Sequence, residues 1–279
     1  MTRVSSPDQS QQLTRSARRA LRDGVPVGGA DSAPLLPLSI VGALCAAVLL
    51  TSAAYAGPLE LSAATLIVGL VLAWGWPQLL GMQQRTGTSA ILALVALGAA
   101  AATLVEDDPY LRWLPLVIAG ALVLTFVGQL VRRDGRLGLT GSVAATLFGA
   151  AVVVLGSVLN PLARTINGPD VVAVVMTAAT VGAAAELFGA LQRWQAWLLP
   201  IAMLLGGWAG VLAGLVTGDP APGQALLVGV LSAAVSFALR RLLSVLPHAR
   251  SSGGQLTISA AGIASVSVVA YVLARIFVG

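Results

Sequence analysis

Few residues in this chain can do chemistry. Glu186, in "AAAELFGALQRW" (183–194), is the acidic side chain that falls within an apolar run. Gln78 and Gln129 stand at similar depths in two other runs. A basic turn, "RRDGRLGLTGS" (132–142), gathers Arg132, Arg133 and Arg136 around Asp134. A carboxylate inside a bilayer is costly, so it usually faces other protein or a water-filled cavity. The neighbours of Glu186 at helical spacing are Gly182, Gly189 and Arg193, a small-residue face that ends in a cation. Three roles are open to it. It can line a polar cavity with Gln78 and Gln129, pair or hydrogen-bond structurally, or sit in a wetter position near the interface. Amides in membrane helices can equally cross-link helices. The Arg132, Arg133 and Arg136 turn has the charge to contact an anionic headgroup or a phosphorylated lipid-linked substrate. Topogenic charge around a glycine turn is the simpler account of it.

The remaining inventory excludes more than it suggests. Cys45 is the single cysteine and His248 the single histidine, so no internal disulfide and no histidine cluster can form. Glu106, Asp107 and Asp108 in "VEDDPYLRW" are adjacent in a short turn before Pro109 and do not converge on a common point. No phosphate-binding loop, H-E-x-x-H pair or G-x-S-x-G elbow occurs. No cofactor and no metal are called for, no nucleic-acid partner is indicated, and enzymatic activity is left open but not favoured.

The elements that must carry these residues follow from composition. The chain has 279 residues, 57% hydrophobic and 10% charged, where soluble domains carry about 25% charged residues. All sixteen basic residues are arginines, scattered in short gaps between apolar runs. The expected fold is an all-α polytopic transmembrane bundle. Nine spans are read at 37–56, 61–81, 88–105, 113–131, 138–159, 171–192, 196–217, 223–245 and 256–277, each near the roughly 20 residues that a bilayer requires. Residues 1–35 read as a disordered cytoplasmic tail and 36–279 as the membrane domain. The Ala54-Tyr55-Ala56 step resembles a signal-peptidase site, but so many further spans favour a retained first helix.

With the N-terminus inside, the inner segments hold Arg3, Arg15, Arg18, Arg19, Arg22, Arg85, Arg132, Arg133, Arg136, Arg193, Arg240, Arg241 and Arg250, and the outer ones Arg112, Arg164 and Arg275. That asymmetry is the one the positive-inside rule predicts. It leaves the C-terminus outside and the chain in the plasma membrane.

After the first span the chain divides into hairpins 61–105, 113–159, 171–217 and 223–277, with a faint internal likeness between the second and fourth. Short gaps predict that sequential helices are antiparallel neighbours. Small-residue stretches such as "LGGWAGVLAG" (205–214) suit close helix packing in lipid. Pro77 should kink its helix. Trp74, Trp76, Trp194 and Trp197 read as one aromatic belt and Tyr110 with Trp113 as the other. Asn160-Pro161 and "INGPD" (166–170) read as loop and helix-start signals, with Asp170 as a cap.

The polar tail, the lysine-free Ala/Val/Gly/Leu helices and the "WGWPQLLG" and "VRRDGR" turns resemble the uncharacterised multi-pass membrane proteins of high-GC actinobacteria. That general resemblance implies no particular activity. Phosphatidate cytidylyltransferases share a polytopic bundle, but their lysine–aspartate cluster and His-Gly-Gly step are absent here. The functional expectation is a transporter of a small or lipid-linked solute. The alternative is a non-catalytic scaffold or partner subunit of a cell-envelope assembly, contacting other membrane proteins. A lipid-modifying enzyme ranks third.

Overall fold

The computed structural model describes residues 37–82, 85–105, 111–130, 139–190 and 196–277. The tail and the Arg132, Arg133 and Arg136 turn lie outside the described residues, as do Glu106 to Tyr110, Arg193 and Trp194.

Among the described residues the fold is all-α. The helices are α1 Pro37–Ala56, α2 Pro58–Leu79, α3 Arg85–Leu104, α4 Leu114–Leu130 and α5 Leu139–Ser157, followed by α6 Gly168–Ala184, α7 Leu198–Thr217, α8 Pro222–Ser244, α9 Ser252–Ser265 and α10 Ser267–Phe277. Two 3-10 segments, Asn160–Arg164 and Ala185–Ala190, follow α5 and α6. Eight stretches are long and apolar enough to cross a membrane, with α9 and α10 forming one of them. The shorter α4, 17 residues, is the remaining apolar segment. Helical segments therefore occupy all nine expected places, because apolar runs of bilayer length leave the backbone no partner but its own helix.

Packing is not simply sequential. The α2 to α5 helices form one group and α6, α7 and α8 a second, triangular one. The α6 helix packs on α7, α8 and α1 rather than on α5. Joining the groups is α9, which touches α1, α2, α5, α6 and α8. Its polar sequence, "SGGQLTISAAGIAS", is buried at nearly every position, whereas α4 turns Leu116, Val123, Phe126 and Leu130 outward, as a lipid-facing helix does.

Small residues set the closest contacts. Gly206, Gly210 and Gly214 of α7 face Ala225, Gly229 and Ala233 of α8 at four-residue spacing on both helices. A methyl group at Gly210 would lie 2.6 Å from the Ala225 carbonyl oxygen, so these backbones nearly touch. Dispersion at such range holds helices together where lipid offers no hydrophobic drive.

Two tryptophan assignments separate. Trp74 is exposed, as a belt residue should be, but Trp76 is buried. Its indole N–H donates to the Ala145 carbonyl at 2.9 Å, its ring meets Phe148, and Gly149 leaves room for it. Trp76 is thus a core residue between α2 and α5. Two residues apart on a helix are about 200° apart around the axis, so the pair could not share a face. Pro77 lies in the last turn of α2, which continues only to Leu79 before Gly81 turns the chain at φ +64°.

Candidate functional site

At the end of α6 the chain tightens into the 3-10 segment that carries Glu186. The carboxylate meets Arg240 of α8, 54 residues away. Arg240 Nε donates to Glu186 Oε1 at 2.8 Å and Nη2 to Oε2 at 2.7 Å. This is the bidentate geometry that a planar guanidinium makes with a carboxylate. Arg240 is 0% and Glu186 8% exposed. Nη2 also donates to the Ser39 hydroxyl of α1 at 3.2 Å.

The α9 helix makes the space. A Cβ at Gly262 would lie 2.8 Å from Arg240 Cγ and 3.1 Å from Ser236 Oγ, so any larger residue there would press on the arginine stem. One helical turn earlier on α9, the Ser259 hydroxyl donates to the Ser39 carbonyl at 2.6 Å, tying α1 to α9 beside the pair. The site is thus built from the start of α1, the end of α6, the last turns of α8 and the middle of α9.

One edge of the guanidinium is left over. Arg240 Nη1 has no hydrogen-bond partner, and neither do the hydroxyls of Ser236 and Ser232, four and eight residues earlier on α8. All three side chains are buried. Unsatisfied buried polar atoms are few in folded proteins, and each calls for an explanation.

Sequence reasoning sought the partner of Glu186 in Arg193, which lies outside the described residues. The cation it missed, Arg240, had been counted with the inner turns. The signal was present: Ser232, Ser236 and Arg240 recur every four residues, one inward stripe of a helix, whereas the adjacent Arg241 is exposed. Gln78 is half-buried and donates to the Trp74 carbonyl of its own helix at 3.3 Å. It lies against Gly253 at the start of α9, about 13 Å along that helix from Gly262 at 1.5 Å per residue. The Gln129 side chain lies outside the described residues.

A second polar cluster sits at the opposite ends of these helices. Asn160, read from sequence as a loop signal, is buried. Its amide nitrogen donates to Thr103 Oγ1 at 2.7 Å, and its carbonyl oxygen accepts from Thr65 Oγ1 at 2.9 Å. Asp170 stands in the first turn of α6 rather than at its cap, which is Asn167 at φ 60°. There it accepts from the Tyr55 hydroxyl at 2.5 Å. Thr65 of this cluster also lines a cavity of about 10 Å³, together with Leu50, Val153, Gly156 and Ser267. The Ser267 hydroxyl is buried and has no partner. An open apolar groove of about 360 Å³ lies between α1 and α6. Among the described residues no three His, Cys, Asp or Glu side chains come together as metal ligands do.

Fold and site together define a polytopic α-helical membrane protein with a buried ion pair. No family model, no curated protein and no solved structure matches the chain.

Proposed function

We propose that the protein is a membrane carrier for a small polar solute, with its site at the Glu186–Arg240 pair. The observation that carries this reading is the spare edge of a fully buried guanidinium, Nη1, beside two orphan serine hydroxyls. Intramembrane charges are rare and commonly mark solute or ion pathways. The change of α6 into a 3-10 segment at Glu186 adds support, since carriers commonly place their sites where a helix is interrupted.

The pair faces the cytoplasm in this reading. Ser39, Glu186 and Arg240 share one end of the bundle with Arg85, Arg241 and Arg250, and the other end holds Arg112, Arg164 and Arg275. The positive-inside rule assigns the first group to the inner leaflet.

A non-catalytic scaffold is the second reading. It is favoured by the completeness of the bidentate contact, which can brace α1, α6 and α8 without moving.

Glu186→Gln, Glu186→Ala and the exchange Glu186→Arg with Arg240→Glu separate the two. Protein level and rescue of a deletion strain are measured for each. A carrier loses rescue in all three while the exchange keeps normal protein level. Full rescue by the exchange, or by both single variants at normal level, removes the carrier reading and leaves the brace.

A further inference from the structure

The spare hydrogen-bonding capacity at the Glu186–Arg240 pair is of one kind. Both Glu186 oxygens already accept from Arg240. What is left over donates. Arg240 Nη1 keeps its N–H groups free, and the Ser236 hydroxyl has no partner. The Ser39 hydroxyl accepts from Nη2 at 3.2 Å, and its own hydrogen meets no acceptor among the described residues. All three side chains are buried.

These donors lie on one side of the cation. Nε and Nη2 form the edge turned to Glu186, so Nη1 stands on the opposite side of the planar guanidinium, next to Cδ. Cδ and Ser236 Oγ flank the same glycine, 2.9 and 3.1 Å from the point where a Gly262 Cβ would stand. Ser39 Oγ lies against the neighbouring nitrogen, Nη2. A ligand that only accepts hydrogen bonds satisfies such a set, and charge-assisted bonds to an anion are the strong ones. Water would add two donors where the carboxylate oxygens are already taken. The close approach of α9 at Gly262 restricts the ligand to a small ion.

Charge then requires a proton. Arg240 and Glu186 cancel, so an anion entering alone would leave one buried negative charge uncompensated, which a low-dielectric interior penalises heavily. One proton on Glu186 restores neutrality. Among the described residues no other ionisable side chain faces that carboxylate. The α7 and α9 helices and the 3-10 segment of Glu186 hold none besides it. Asp170 stands at the far end of α6, Cys45 and Tyr55 lie further along α1, and Arg241 of α8 is exposed.

We propose that this site binds a small monovalent inorganic anion of the chloride class, held by Arg240 Nη1 with the Ser236 and Ser39 hydroxyls, and that Glu186 takes up one proton as the anion enters. The proton comes from water and adds to a Glu186 oxygen, Arg240 stays charged, and anion and proton leave together. No other bond is made or broken. The inference deepens the carrier reading, on which it rests for its purpose, by naming the solute as an anion moved with a proton.

The test measures melting of the full-length protein in detergent, in potassium chloride against potassium gluconate or sulfate at equal ionic strength, between about pH 5 and about pH 8. Chloride is expected to raise the melting temperature by mass action. The chloride concentration giving half the effect rises about tenfold per pH unit wherever the empty site is ionised, because one proton enters with each anion. Glu186→Gln, neutral like the protonated acid, responds to chloride with no such dependence on pH. Ser236→Ala melts no lower than wild type in gluconate, since its hydroxyl has no partner there, but needs several-fold more chloride. Wild type that melts alike in chloride and gluconate, or that responds equally to sulfate, overturns the proposal. So does Ser236→Ala with the full chloride response, or a pH dependence that persists in Glu186→Gln. A missing chloride response with lost cellular rescue in the Glu186 variants leaves the carrier reading standing with a solute of other chemistry. A chloride response with full rescue by both single variants keeps the anion site and removes the carrier.

Discussion

Glu186 Oε2 and Arg240 Nη2 lie 2.7 Å apart in the interior of the bundle, although 54 residues separate them in the chain. The pair fixes which helix ends lie together, because Ser39, at the start of α1, completes it.

Removing one member of this pair strands the other charge. Glu186→Ala is expected to cost about 3–5 kcal/mol, as for other broken buried pairs. A double replacement, Glu186→Leu with Arg240→Met, should recover most of that loss, since well-packed apolar groups often replace such pairs at little cost. Thermal melting of the purified protein in detergent checks the order: double variant above either single variant.

Nine apolar runs were legible because the bilayer demands them, and the arginine distribution agreed with their number. The neighbours across the bundle were not. Nothing local distinguishes Arg240 from the exposed Arg241 beside it except the serine stripe leading to it. Asn160 looks like a loop residue because Pro161 follows, yet the 3-10 turn directs it into the core. Trp76 shows the reverse error, an interfacial residue type used as a core side chain because Gly149 opposite it leaves a slot.

The glycine contact between α7 and α8 is testable by adding one carbon. Gly210→Ala places a methyl 2.6 Å from the Ala225 carbonyl oxygen and 3.0 Å from Gly229 Cα. Overpacking of this kind costs about 1–3 kcal/mol. Gly120→Ala, where a methyl meets open space, is the control and should leave the melting temperature unchanged or raise it.

Asn160→Leu should weaken the contact between the start of α2 and the end of α3. Interhelical hydrogen bonds in membranes contribute about 0.6–2 kcal/mol, and Thr65 and Thr103 keep backbone partners within their own helices. A drop in melting temperature larger than that range would mean that Asn160 holds more than its two threonines.

Sidedness can be read chemically. In a Cys45→Ser background, a cysteine at Ile166, which is exposed, should react with a membrane-impermeant maleimide added to intact cells. A cysteine at Arg250 should react only after the membrane is opened. The opposite pattern would invert the orientation inferred from the arginines.

The glycine ladder of α7 and α8 also restricts how the molecule can work. Backbones in contact along Gly206, Gly210 and Gly214 cannot slide or swivel past each other without a collision of carbonyl groups. Gly182 of α6, whose added methyl would come 2.7 Å from Ala233, locks the third helix to them. The three helices make one slab, and the slab carries both Glu186 and Arg240. The ion pair is therefore internal to the slab, and the bond from Arg240 to the Ser39 hydroxyl is a stitch along the seam that joins the slab to α1.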